Sequence, residues 1–172
     1  MLQGVPSLRG FEVFPAVHAA LGLAQRGDFR VAEFSVQDTH IHLLVEASSH
    51  AALLSGARGL QIRLARAINR ATGRRGRVMG DRYHVRALRT PREVRICLAY
   101  VLHNFTKHQP GAPTLLDPCS SAGSFDGYHE QNCPSERDAA ARPPRTWLLR
   151  VGWRRHGLLS PTERPRSANQ GR

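Results

Sequence analysis

The feature that most constrains this chain is a pair of apolar runs joined by a short polar turn, within residues 34–46. Two such runs separated by residues 37–39 predict the antiparallel strands of a β-hairpin. His40 and His42 stand two positions apart on the second run. Because alternate residues of a strand point to the same face, we expect both imidazoles to project from one side of the sheet.

Neutral imidazoles that converge from one rigid strand form a natural site for a metal ion. A His-x-His pair is weak support for a metal when it stands alone, and surface or interface histidines are the simpler interpretation. The weight of the metal interpretation therefore depends on what the rest of the chain supplies.

The charge of the chain indicates a polyanionic partner. Its 172 residues include 25 Lys and Arg against 13 Asp and Glu, which gives a net charge of +12. An excess of this size favours nucleic acid first and an anionic membrane surface second. No apolar run reaches transmembrane length, and no secretory signal is apparent at Met1, so we expect a cytoplasmic protein with no membrane-spanning segment. The three cysteines form no Cys-x-x-Cys pair, so neither a disulfide framework nor a zinc motif is predicted.

The spacing of apolar residues predicts three helices and three strands. Helices are expected over residues 11–25, from candidate N-caps at Ser48 and Ser49 to about Ala71, and from Pro91 to about Lys107. Strands are expected over residues 29–36, 40–47 and 78–88. The sequence therefore predicts an α+β domain over residues 1–109.

The third helix has the best-defined start in the chain. Thr90 is a predicted N-cap, Pro91 suits the first helical position, and Glu93 completes a capping box. Tyr100 and Asn104 are four positions apart on this helix and are therefore stacked neighbours. Both are predicted on the flank of its buried stripe, where a helix borders a sheet and a cleft forms.

Arginines form a second stripe on the middle helix, at Arg63, Arg66 and Arg70, and the positive charge continues just beyond its end. A solvated helix face explains such a stripe as well as contacts with phosphates do. Residues 110–172 are rich in Pro, Gly, Ser and charge, which predicts an irregular extension with a short ordered element near 146–158 that packs through Trp147 and Leu148.

Three segments together resemble the single-tyrosine HUH transposases, the family that includes the REP-associated tyrosine transposases. They are residues 36–45 with the histidine pair, residues 80–84, and residues 100–104 with Tyr-x-x-x-Asn. The resemblance covers about residues 11–108. It implies a ferredoxin-like antiparallel sheet with helices on one face. It also implies single-stranded or hairpin DNA as the partner of a monomer or homodimer.

The resemblance also implies roles for individual residues. Tyr100 would be the nucleophile that attacks a phosphodiester and keeps the 5′-phosphate. His40, His42 and Asn104 would hold Mg²⁺ or Mn²⁺, and imidazole ligands suit Mn²⁺ at least as well as Mg²⁺. A free phenol has a pKa of about 10 and is a poor nucleophile at pH 7, so the metal would polarise the phosphate. Arg63, Arg66, Arg70 and Arg82 are candidates for contacts with DNA.

One departure and two rival functions remain open at this point. The family's sheet begins with a strand before the first helix, and residues 1–6 contain no such strand. Without it, the histidine strand would expose an apolar edge, and we expect an upstream-extended chain to be more stable. The alternative function is a non-catalytic, basic nucleic-acid-binding transposase remnant. A third possibility is a metal-dependent hydrolase that uses water as its nucleophile.

Overall fold

A computed structural model of the protein describes residues 4–80, 83–105, 116–129 and 137–163. In chain order its regular elements are two strands, four α-helices and two 3₁₀ turns. They are α1 (Phe14–Gly22), β1 (Phe29–Val36), β2 (Ile41–Ala47), α2 (His50–Ala71), α3 (Pro91–His103), a first 3₁₀ turn (Ser121–Ser124), α4 (Trp147–Arg150) and a second 3₁₀ turn (Gly152–His156).

The sheet is the antiparallel hairpin β1–β2, which confirms the predicted pairing of these two segments. Its register pairs Val36 with Ile41 and Phe29 with Ala47, with an irregularity between Val31 and Glu33. The predicted second strand begins one residue earlier than β2 does. Among the described residues, these two strands are the whole sheet, so the prediction of an α+β fold holds at this level.

The first face of the sheet packs against α1 and α2. This face carries alternate apolar residues of both strands, and α2 buries its own stripe of Leu60, Leu64 and Ile68 against them. The strand residues of this core are Phe29, Val31, Phe34, Val36, Ile41, Leu43 and Val45. The period of two along β2, and along β1 on either side of its irregularity, set against the helical period of α2, accounts for this packing.

The second face of the sheet packs against α3. Ala32 and Leu44 point to this side and form a separate core with Leu98, Ala99 and Leu102. Helices therefore lie on both faces of the sheet, and our expectation that they lie on one face is wrong. The reason is that the apolar stripe of α3 packs on the face of the sheet that α1 and α2 do not cover.

The outer edge of β1 is closed by residues from the C-terminal part of the chain. The amide of Val36 donates to the carbonyl of Cys119 at 2.8 Å, and the amide of Arg142 donates to the carbonyl of Val31 at 2.8 Å. Hydrogen bonds of this kind satisfy backbone groups that an edge strand would otherwise leave unpaired. Residues beyond 116 are therefore integral to both cores rather than attached to one end of the hairpin.

The N-terminal segment is tied to the same region by an ion pair. Both guanidinium nitrogens of Arg9 donate to the carboxylate of Asp117, at 2.9 and 2.6 Å. Arg9 also donates to the carbonyl of Val36 at 2.7 Å, and its guanidinium lies 4.4 Å from the centroid of the Phe105 ring. The Asp117 side chain is 1 % exposed, so this is a buried bidentate pair.

Local sequence explains where α2 and α3 begin. The Ser49 hydroxyl accepts a hydrogen bond from the amide of Ala52, and Thr90 and Glu93 form the predicted capping box. The helix α1 is shorter than predicted, and it ends at Gly22 rather than near Gln25. The helix α3 ends at His103, and the predicted end at Lys107 lies outside the described residues.

The predicted strand over residues 78–88 is not formed by residues 78–80 and 83–88, which have irregular conformation. Tyr83 and Val85, two of its alternating residues, are exposed. An alternating pattern makes a strand only where a neighbouring strand accepts its hydrogen bonds. The outer edge of β1 is already occupied by residues near Cys119 and Arg142, so that position in the sheet is taken.

The predicted ordered element near residues 146–158 is present as α4 and the second 3₁₀ turn. Leu148 packs on the core as predicted, but Trp147 is 50 % exposed, and Leu149 and Trp153 are buried in its place. Leu149 belongs to α4 and Trp153 to the second 3₁₀ turn, and the indole Nε1 of Trp153 donates to the carbonyl of Leu149 at 3.1 Å, which holds the two elements together. In the part of the chain that the structure describes, no helix has the length and apolar character needed to span a bilayer.

Candidate functional site

The hairpin turn sets the position of the two histidines. The amide of Gln37 donates to the carbonyl of His40 at 2.9 Å, which leaves a two-residue loop between the strands. His42 follows in β2, opposite Ser35. The Nε2 atoms of His40 and His42 are 3.0 Å apart, and the ring planes are inclined at 82°. Both imidazoles therefore project from one side of the sheet, as the strand period predicts.

Tyr100 reaches the histidine pair from α3. Its ring lies edge-on to that of His42, with centroids 5.0 Å apart and an interplanar angle of 77°. Leu98, Ala99 and Leu102 fix α3 on the sheet face to which His42 points. The phenol is half-buried, as expected for a residue on the flank of the buried stripe. A strand and a helix that are distant in sequence thus bring three candidate side chains together.

The other two tyrosines of the chain are less suited to act as nucleophiles. Tyr83 is 39 % exposed in the irregular segment. The hydroxyl of Tyr128 is buried, and burial raises the pKa of this phenol well above its ordinary value. The ring of Tyr128 stacks on that of His103, the last residue of α3, with ring centroids 5.8 Å apart. Tyr100 is the tyrosine whose ring meets the histidine pair.

Asn104 is placed as the C-cap of α3, one turn beyond Tyr100. We expected it on the flank of the helix, but it is 1 % exposed. Its Nδ2 atom is buried and has no hydrogen-bond partner among the described residues. A buried donor without a partner costs free energy, and this donor would be satisfied by a hydrogen-bond acceptor rather than by a cation.

The donor set at this site fits a metal ion. Two nitrogens bound at right angles to one ion, each at ~2.1 Å, would be about 3.0 Å apart. The Nε2 atoms of His40 and His42 have this separation, although a hydrogen bond between a protonated and an unprotonated ring nitrogen has it as well. The atom of the Asn104 amide that could coordinate a metal is its carbonyl oxygen Oδ1, because Nδ2 is a hydrogen-bond donor. In residues 4–80, 83–105, 116–129 and 137–163, no cluster of three or more His, Cys, Asp or Glu side chains is placed to hold a metal. An amide or non-protein ligands would therefore complete the set.

Comparison of the chain with protein-family models, with curated proteins and with solved structures finds no match.

Three of the four predicted DNA-contacting arginines do not line the histidine and tyrosine cluster. Arg63, Arg66 and Arg70 are exposed on α2, which packs on the opposite face of the sheet from α3. Arg82 lies outside the described residues. The structure therefore separates this basic helix face from the candidate chemical site by the thickness of the sheet.

The sequence analysis missed a second group of polar residues on the α3 side of the sheet. Glu33 lies in the centre of β1 and is 3 % exposed, and Arg137 lies 3.7 Å from it. The available signal was a charged residue inside an otherwise apolar strand, because glutamate is rarely buried without a specific partner. Arg137 carried no comparable signal, since it belongs to an irregular segment.

Proposed function

We propose that the chain is a metal-dependent nuclease and strand transferase that cleaves single-stranded or hairpin DNA through Tyr100. The observation that supports the proposal most strongly is the meeting of three side chains from distant parts of the sequence. The two Nε2 atoms are 3.0 Å apart, and the phenol ring of Tyr100 lies against His42. We include in the same proposal that the chain resembles the HUH transposases and that its fold is related to their ferredoxin-like sheet.

In the proposed reaction the Tyr100 hydroxyl loses its proton and its oxygen forms a bond to the scissile phosphorus. The bond from phosphorus to the 3′ oxygen breaks, and that oxygen takes up a proton and leaves as a 3′-hydroxyl. The product is a 5′-phosphotyrosine, which another 3′-hydroxyl can attack in reverse, so that rejoining needs no ATP. Mg²⁺ or Mn²⁺ held by His40, His42 and Asn104 would supply polarisation of the phosphate.

The charge of the chain supports a nucleic-acid substrate. The net charge is +12, and Arg63, Arg66 and Arg70 project from α2 into solvent. Exposed guanidinium groups release counterions from a phosphate backbone and bind it without reading its sequence. This surface is on the opposite side of the sheet from Tyr100. It would therefore bind DNA that passes around the molecule, and it would not contact the phosphate that is cleaved.

The same exposed arginines favour a second candidate function, a non-catalytic nucleic-acid-binding protein. Such a protein would need the basic face of α2 and would not need the cluster of His42 and Tyr100. The two functions therefore differ in whether the protein cleaves DNA and whether a substitution at Tyr100 abolishes that cleavage.

The deciding experiment incubates the protein with end-labelled single-stranded hairpin oligonucleotides and Mn²⁺, followed by a denaturing gel and peptide mass spectrometry. We expect an adduct on the peptide that contains Tyr100, and we expect Tyr100→Phe to abolish it. Tyr83→Phe is the matched control, because Tyr83 is exposed and lies in an irregular segment, and this variant should keep full activity. His42→Ala should reduce adduct formation by roughly a hundredfold or more.

Each outcome of this experiment selects one function. Cleavage that persists in Tyr100→Phe would contradict the tyrosine mechanism and favour a water nucleophile. DNA binding without cleavage by the unmodified protein, with a preserved circular dichroism spectrum, would favour the binding-only function.

A further inference from the structure

A cleft of about 130 Å³ lies on the same sheet face as the candidate site, beside α3. Glu33 of β1 and Leu98 of α3 form part of its wall. Glu33 pairs across the sheet with Leu44, which is two positions beyond His42 on β2. The cleft therefore begins roughly 7 Å from His42 in the strand direction, and one strand over.

The wall of the cleft holds two polar groups without hydrogen-bond partners. The Glu33 side chain is 4 % exposed, and its Oε2 atom has no such partner among the described residues. The same is true of Nη1 of Arg137, which lies 3.7 Å from Oε1 of Glu33, beyond hydrogen-bond distance. The two groups attract each other as an ion pair, but each keeps an unsatisfied hydrogen-bonding atom, so an acceptor and a donor stand side by side in the wall.

Burial and the charged groups around Glu33 influence whether its carboxyl group is protonated. Burial raises the pKa of Glu33 to about 7, with smaller contributions from Asp126 and Asp138 in the same direction. Ser121 and Arg137 act in the opposite direction. In either protonation state, one carboxyl oxygen of Glu33 accepts a hydrogen bond from an N–H group.

Aromatic and basic side chains complete the cleft. Phe125 and Trp153 stack with ring centroids 5.7 Å apart and lie in the wall. Arg150, Arg154 and Asp126 also line the cleft; Arg154 donates to Asp126 at 3.1 Å, and Arg150 is exposed. An apolar wall, a few convergent polar groups and the exposed guanidinium of Arg150 together suit an unstacked base and its phosphate.

The volume restricts which base fits. A water molecule takes up about 30 Å³, and a protein cavity of about 150 Å³ holds one benzene ring. At about 130 Å³, the cleft matches the size of one six-membered ring more closely than that of a fused pair. A single ring that presents an N–H next to a hydrogen-bond acceptor would match the acceptor and the donor in the wall.

We propose that this cleft binds one unstacked pyrimidine base of single-stranded DNA next to the cleaved phosphate. Glu33 accepts a hydrogen bond from an N–H of the base, and Arg137 donates to the adjacent acceptor, which is a carbonyl oxygen in thymine and the ring nitrogen N3 in cytosine. This inference rests on the proposed function for the identity of the polymer. It makes Glu33 and Arg137 specificity-determining residues, which the chemistry at Tyr100 does not require.

The test titrates the full chain with dCMP, dTMP, dAMP and dGMP and follows tryptophan fluorescence. The chain has two tryptophans, and Trp147→Phe leaves Trp153, in the wall of the cleft, as the sole reporter. We expect saturable changes with dCMP and dTMP and at least roughly tenfold weaker binding of the purine nucleotides. Arg137→Met should weaken dCMP binding by roughly tenfold or more, whereas Arg142→Met, an equal change of charge at an exposed position, should not.

Glu33→Leu provides a second variant, because it removes the acceptor while filling the same space, and circular dichroism reports whether it folds. Equal affinity for purines and pyrimidines, equal losses in the two arginine variants, or no response at millimolar nucleotide would each overturn the inference. The Tyr100 adduct is measured separately. Loss of that adduct with retained pyrimidine binding would contradict the proposed function alone, and the reverse result would contradict this inference alone.

Discussion

At the scale of single residues, Glu33 has the surroundings with the most direct effect on stability. Burial raises its pKa from 4.5 to about 7 in the folded protein. Between these pH values the unfolded chain has lost the Glu33 proton and the folded protein has kept it, so stability falls as pH rises. We expect Glu33 to contribute a loss on the order of 3 kcal/mol between pH 4.5 and 7.5.

Urea unfolding of the protein and of Glu33→Gln at pH 5 and pH 7.5 measures this effect. The variant should be less sensitive to pH and more stable than the parent at the higher pH. Glu12→Gln, at an exposed glutamate, serves as the control and should follow the parent curve. Parallel pH dependence in Glu33→Gln and the parent would show that Glu33 is ionised normally.

The histidine pair and Glu33 show what a local pattern reveals at this scale. The strand period alone was enough to place His40 and His42 on one face, because that period is a local property of the backbone. The burial of Asn104 and the cleft around Glu33 could not be predicted, since both depend on residues brought in from elsewhere in the chain. Arg137, for example, is more than a hundred positions from Glu33.

At the scale of elements, two glycines of α2 give opposite predictions for one substitution. A Cβ at Gly56 would lie 2.2 Å from Cγ of Phe29, whereas a Cβ at Gly59 would have no neighbour within 4 Å. Gly56→Ala should therefore destabilise the protein by about 1–3 kcal/mol through overpacking against β1. Gly59→Ala should stabilise it by up to about 1 kcal/mol through helix propensity.

Urea midpoints of the two variants, with unchanged slopes, provide the measurement. The same residue type changes to alanine within one helix, so each variant is the control for the other. Stabilisation by Gly56→Ala would mean that α2 does not pack on β1 at the distance described here.

The elements also show where local sequence was sufficient. The capping box at Thr90 and Glu93 fixed the start of α3 because its hydrogen bonds are made within four residues. A strand over residues 78–88 would have needed an unpaired strand edge beside it. The alternation of apolar residues in that segment does not indicate that the outer edge of β1 is occupied. The distribution of helices over two faces was missed for a related reason, since a helical stripe does not specify which sheet face it covers.

At the scale of the whole molecule, the pair of Arg9 and Asp117 joins parts of the chain that are 108 positions apart. Arg9→Met leaves a buried carboxylate without its partner, and we expect a loss of about 3–5 kcal/mol. Arg26→Met is the matched control, because it breaks a pair with Asp28 in which both side chains are more than two-fifths exposed. That control should lose less than about 1 kcal/mol.

Chemical unfolding monitored by tryptophan fluorescence reports both losses. Nearly equal effects of the two arginine variants would mean that the N-terminal segment is not anchored to Asp117. A larger loss in Arg9→Met would show that the terminal segment and the C-terminal residues unfold together with the hairpin.

The closing of the outer β1 edge by Cys119 and Arg142 has a consequence for synthesis on the ribosome. The hairpin emerges early, but the residues that cover the outer edge of β1 are translated about a hundred positions later. At about 5–20 residues per second, the nascent chain would carry an uncovered apolar strand for roughly 5 to 20 s. During that interval the hairpin is a binding surface for chaperones and for neighbouring nascent chains on the same messenger.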